Sequence, residues 1–264
     1  AANMGKAFKS LDLHQMEQLV YRTRQRELSD WDNQIKSYPL CFFDPDKDSR
    51  LFLQFSTSIN INNSLQHLIG WAHPELIFFC SHSSNNLFVD CTFKIVPRGF
   101  DQLMIIMVFS PTHSYYVPVF YILLQSKTET IYNFALQAAI SATGWKMDAK
   151  SLTCDFEKAL LNAVKLQFSK AAMIGCYFHW KQAIRRKLLE KGLPKDLVST
   201  LVGKEGLMNI LPIVPIDEII PKAIPFIRSK INEGPHKKKK IDEFWKYFEN
   251  TWMKNYAPEV WNAN

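Results

Sequence analysis

The sequence predicts an α/β fold: a mixed five-stranded sheet with helices on both faces, joined to an all-helical insertion or extension. Three observations predict it. Runs of β-branched and aromatic residues between 86 and 124 are separated by turn chemistry. Strand-like and helix-like runs then alternate up to 191. Beyond 191 only helical periodicity remains, broken by prolines.

Taken in order, residues 10–37 have apolar positions at helical spacing (Leu13, Met16, Leu19, Val20, then Leu28, Trp31 and Ile35). Asp44-Pro45-Asp46-Lys47-Asp48 is a turn cluster between the strand-like runs Leu40–Phe43 and Leu51–Ser56, which suits a hairpin. His67–Trp71 reads as a short helical piece. Three strands follow: Asn86–Val96, Gln102–Ser110 (apolar on both faces, as in a covered sheet) and Val117–Leu124. A helix over 128–143 is expected, with Thr130 able to cap it. Then come a strand at Ser151–Phe156, a helix at Glu157–Ser169, a strand at Ala171–Phe178 and a helix at Trp180–Lys191. The order β-β-β-α-β-α-β-α is that of the ribonuclease H-like fold. Helices over 194–211, 216–231 and 241–253 complete the chain. The expected domains are an N-terminal helical segment (1–38), a catalytic core (39–191) and a helical insertion (192–264).

Composition narrows the function. Of 264 residues, 47% are hydrophobic and 13% aromatic, enough for a real core and against disorder. The sequence contains neither G-x-G-x-x-G nor G-x-x-x-x-G-K-[ST], and neither H-E-x-x-H nor G-x-S-x-G. No apolar run nears the ~18 residues of a membrane span, and Ala1–Ser10 lacks the apolar stretch of a secretory signal. Five scattered cysteines (Cys41, Cys80, Cys91, Cys154, Cys176) read as reduced thiols of an intracellular protein. The net charge is +7, and its excess lies between 151 and 250. Nine basic and four acidic residues occupy 151–200, and nine and seven occupy 201–250. This asymmetry suits either a polyanion partner or a solvated Lys-rich surface.

Asp90 lies mid-strand in a run with little charge, where a buried carboxylate needs a cation, a network or a partner. Asp155 ends the fourth strand where a helix starts. If strands one and four are neighbours, the two carboxylates meet at one sheet edge. Paired carboxylates repel unless a proton or metal intervenes. Mg²⁺ or Mn²⁺ suits such oxygen ligands, and two ions ~3.5–4 Å apart clamp a phosphodiester. The alternatives are a strand-end aspartate at 90 and a helix N-cap at 155. Cys176 and His179 form Cys-x-x-His after the fifth strand; without a second pair this reads as a buried thiol and a site-edge imidazole rather than zinc ligands. Lys181, Arg185, Arg186 and Lys187 make the next helix basic, as a DNA-tracking or an ordinary solvated face. Lys237–Lys240 suits a backbone contact or a nuclear-import signal. Glu249 borders the stripe Ile241, Phe244, Trp245, Phe248 and Trp252, either as a third metal-binding carboxylate or as a boundary residue.

Three segments, FVDCTFK (88–94), CDFEKAL (154–160) and GCYFHWKQAIRRK (175–187), resemble the blocks of the Mutator-like element (MULE) transposase domain, of the ribonuclease H-like DDE superfamily. The resemblance implies an Asp-Asp-Glu triad that cuts DNA and joins strands with Mg²⁺ (or Mn²⁺), with Asp90 and Asp155 as its first two acids. It implies transposon ends and target DNA as partners, homodimerisation, no membrane, and a nuclear or otherwise intracellular location. The family's Glu follows a helical insertion in an Asn-x-x-Glu segment. This sequence ends at Trp261-Asn262-Ala263-Asn264, so Glu249 stands in, or the third acid lies beyond the fragment, or it is lost. No Cys/His cluster precedes residue 40, where such transposases commonly carry a zinc-binding recognition module. Rival readings are a transposase-derived regulator that has lost the chemistry and a ribonuclease H-like nuclease acting on RNA or hybrids.

Overall fold

The computed structural model describes residues 15, 18, 19, 22, 42–44, 48–82, 85–231 and 235–263. Of the helix expected over 10–37, Gln15, Gln18, Leu19 and Arg22 are helical and the rest lies outside the described residues. The hairpin is present: β1 (Phe42–Asp44) pairs antiparallel with β2 (Asp48–Leu51), although residues 45–47 of its turn are outside the described set. The chain divides into two compact units, residues 1–82 with 91–147, and residues 83–90 with 148–264. The sheet is mixed, with seven strands, β3–β9, where the sequence predicts five.

In the first unit, β3 (Leu53–Ile61), β4 (Ser64–Ala72), β7 (Tyr115–Leu124) and β6 (Gln102–Ser110) pair antiparallel in that spatial order. Asn62 and Asn63, at φ 52° and 61°, close the β3–β4 hairpin, the left-handed pair that a two-residue primed turn requires. β4 corrects the helix expected at His67–Trp71. A run of five residues fixes no period, and ladders to β3 on one side and β7 on the other decide for a strand. Gly70 allows this, because a Cβ there would run into the ring of Phe55. The β6–β7 register slips between Ile106 and Met107, opposite Pro118, which has no N–H for the ladder. Along β6, Met104, Ile106 and Val108 are buried and the intervening residues half-buried. Helix α1 (Pro74–Ile77) and a 3-10 turn (Phe78–Ser81) follow β4. Helix α2 (Glu129–Ala142) packs on β3, β4 and β7 through Ile131, Tyr132, Ala135, Leu136 and Ala139. Its cap is Thr128 rather than Thr130: the Thr128 hydroxyl accepts from the Ile131 amide at 3.3 Å. The buried Tyr132 hydroxyl donates to Gln102 Oε1 at 2.5 Å.

In the second unit, β5 (Asn86–Thr92, entering the first unit at Cys91), β8 (Ser151–Cys154) and β9 (Ala172–Gly175) run parallel. Helix α3 (Lys158–Gln167) links β8 to β9, and α4 (Tyr177–Glu190) leaves β9. Then come α5 (Lys195–Val202), a 3-10 turn (Leu207–Ile210), α6 (Ile216–Glu218), a π turn (Ile219–Ala223), α7 (Ile224–Ser229), α8 (Pro235–Phe248), a π-helical segment (Glu249–Asn255) and α9 (Pro258–Trp261). His236, expected in a loop, falls in α8. The predicted stripe of α8 is buried as a set. It joins Trp180, Ile184 and Leu188 of α4 in one aromatic core, with Trp180 and Trp261 stacked at 5.6 Å. Each such ring removes roughly 150–250 Å² from water, worth about 4–6 kcal/mol as an upper bound. Among the described residues no helix is long and apolar enough to cross a membrane.

Candidate metal and nucleic-acid site

The second unit builds the candidate site at the ends of its parallel strands. Along β5, Leu87 and Val89 are buried and Asn86, Phe88 and Asp90 fall on the other face. The β5–β8 register runs from Asn86 opposite Ser151 to Val89 opposite Cys154. One residue further along come Asp90, still in β5, and Asp155, just past the end of β8, on strands whose spacing is about 4.8 Å. Here β8 has already ended, and the chain turns into α3. The Asp155 carboxylate shapes that turn by accepting from the Glu157 amide at 3.0 Å, the Asx-type bond that lets an aspartate end a strand. Glu157, rather than Asp155, is the N-cap residue of α3.

Cys176 extends the next ladder by donating its amide to Cys154 O at 2.7 Å, and α4 starts at once. This places His179 in the first turn of α4, on the same face as Cys176 three residues earlier. His179 Nε2 lies 3.9 Å from Asp90 Oδ1, longer than a hydrogen bond, and its buried Nδ1 has no partner. Cys154 is a buried thiol behind the strand ends. Burial above all, then the charges of Asp155 and Cys176, push its pKa up to about 12, so it stays protonated.

The corner after Asp155 is held from far down the chain. The ring of Phe156 covers Gly175, where a Cβ would collide with it. Trp252 meets the Phe156 ring edge-on at 4.8 Å, and Tyr256 at 5.3 Å. The Tyr256 hydroxyl donates to Phe156 O at 2.6 Å, and burial with the Asp155 charge raises its pKa. Sequence reasoning missed Phe156 and Tyr256; the available signal was the continuation of the α8 stripe through Trp252 to Tyr256 at four-residue steps. Glu249 opens the same π-helical segment and is partly buried.

Asp90, Asp155, His179 and Cys176 are thus gathered at adjoining strand and helix ends. Among the described residues no three His, Cys, Asp or Glu side chains form a group able to hold a metal ion, so Glu249 is not brought into a three-ligand set with the aspartates. A pair of carboxylates is the kind of oxygen donor set that Mg²⁺ takes: it binds through one or two of them, keeps several waters and takes its remaining ligands from phosphates.

The basic face of α4 is divided. Lys181 Nζ donates to Gly203 O at 2.8 Å. Lys187 pairs with Glu190 at 2.7 Å, lowering the pKa of that carboxyl, and lies 4.8 Å over the Tyr247 ring. Arg186 reaches Gln182 at 3.5 Å. Arg185 is exposed and lines a cavity.

Residues 86–183 match the family model of the MULE transposase domain, the family that the three segments resemble. The matched segment runs from the start of β5 into α4 and contains Asp90, Asp155, Cys176 and His179; it is transposase-related. No curated protein matches the chain.

Proposed function

We propose that this chain is the catalytic core of a DNA transposase, ribonuclease H-like in its 39–191 portion, which cuts DNA and joins strands at Asp90 and Asp155. The observation that supports it is the parallel register, whose last pair, Val89 opposite Cys154, immediately precedes Asp90 and Asp155 inside the segment matched by the transposase model. The antiparallel β6–β7 pair and the parallel β5–β8–β9 set agree with a ribonuclease H-like order.

In this reading Asp90 and Asp155 hold Mg²⁺ or Mn²⁺. A metal held by these two residues would supply activation of an attacking oxygen and charge neutralisation at a leaving one. His179 positions the Asp90 carboxylate from 3.9 Å. The Phe156–Tyr256 bond fixes the backbone that presents Asp155. The third acid of the triad is left unassigned, because Glu249 opens the π-helical segment without joining the two aspartates in a three-ligand group. DNA is the partner, held by the basic surface of the second unit, and the nucleus is the proposed location in a cell that has one.

Nicking of supercoiled plasmid with Mn²⁺ tests this. Asp90→Asn abolishes nicking while its circular dichroism matches wild type; full nicking by that variant ends the proposal. Mn²⁺ should also raise the melting temperature of the wild type and leave that of Asp155→Ala unchanged.

A further inference from the structure

We infer that a basic groove beside α4 and α5, remote in sequence from the aspartates, is a docking site for the phosphodiester backbone of duplex DNA. The inference rests on the DNA-processing reading above and names where that partner is gripped. Two adjoining cavities form the groove, of about 350 Å³ and 580 Å³, and they share Ser199 and Gly203. Arg185 and Lys195 line the first. Lys204 and Lys230 line the second, with Glu205 as its one carboxylate.

Four cations therefore surround this surface, and among the described residues none of them is ion-paired. Other cations of the same unit have acidic partners: Lys187 with Glu190, Lys191 with Glu243, Lys222 with Glu218, and Arg228 with Asp242. Converging unpaired cations repel one another, and a polyanion relieves that repulsion while releasing its own counterions. The C-terminal end of α5 would oppose an anion through its exposed carbonyls. That end is already masked, because Gly203 O accepts from Lys181 Nζ at 2.8 Å and from Asn209 Nδ2 at 3.2 Å. Lys181 thus adds a fifth positive charge at the junction of the cavities. The cations come from α4, α5, the loop after α5 and the end of α7, spread along an open surface. A single small phosphate needs a compact nest; a strand of phosphates suits this spread.

The probe is a short fluorescein-labelled DNA duplex of mixed sequence, titrated with the whole chain at several salt concentrations and read by anisotropy. The triple variant R185A/K195A/K204A should bind more weakly, with its log K against log[salt] slope shallower by about 3, near 0.9 per lost contact. K195Q/K204Q, which keeps side-chain length, should lose about 2. Lys222→Ala, outside the groove, should keep the wild-type slope. All variants are checked for a wild-type melting temperature. A wild-type slope in both groove variants overturns the inference but leaves the DNA reading standing. Absence of binding by the wild type at any salt overturns both. Displacement of the duplex by low-millimolar inorganic phosphate, at constant ionic strength, shows a small-anion site and overturns the docking inference alone.

Discussion

The first unit is a four-stranded antiparallel scaffold with strands of nine or ten residues; the second has three parallel strands, two of them only four residues long, and a thick aromatic core. In the first, the ladders are long and the buried Tyr132 hydroxyl is satisfied by Gln102 of a neighbouring strand. In the second, short strands stop early and leave side chains at their ends. Those ends are where Asp90, Asp155 and His179 collect. Long ladders stabilise a sheet, whereas short ones clear the space around their last residues, and distant packing must then hold those residues still.

The sharpest way to break this contrast is Trp252→Ala. It removes a buried ring from both the aromatic core and the Phe156 corner, and should cost about 3–5 kcal/mol in urea denaturation. Stabilisation by Mn²⁺ should fall with it. A smaller effect is expected from His179→Ala, which leaves the fold intact and lowers Mn²⁺-dependent nicking by roughly 10–100-fold, as loss of a group supporting a ligating carboxylate does. Tyr132→Phe acts on the other unit: Gln102 loses its buried donor, at about 1–3 kcal/mol, and the response to Mn²⁺ is unchanged.

The smallest effect is a pH dependence. Burial pushes the Cys80 thiol up to about 12. A raised folded pKa means that the unfolded chain ionises first. The stability contributed by the neutral thiol is therefore complete below the ordinary range of about 8.5 and lost as pH climbs toward about 12. Urea midpoints should decline over that alkaline window, and less steeply in Cys80→Ala.

Much of this was legible in the sequence where one period dominates. Gln102–Ser110 is a strand with the expected bounds, and the apolar stripe of α8 is buried as a set. The helix expected at His67–Trp71 is a strand because a run of five residues carries no period, and its two neighbouring strands decide the matter from elsewhere in the chain. The switch to π-helical geometry at Glu249 was hidden for a related reason: a wider turn changes hydrogen bonding without changing which residues are apolar. At the candidate site, the aspartates stood out as charges in apolar surroundings. The His179–Asp90 contact and the ties on Lys181 and Lys187 did not, since composition records charges and not their partners.

The bond from Tyr256 to Phe156 spans 100 residues. Synthesis runs from the amino end, so the turn bearing Asp155 leaves the ribosome long before the tyrosine that steadies it. A nascent chain can fold its early strands and still lack a finished corner. On this reasoning the corner after Asp155 is completed only once Tyr256 has emerged, well after β8 and α3 themselves.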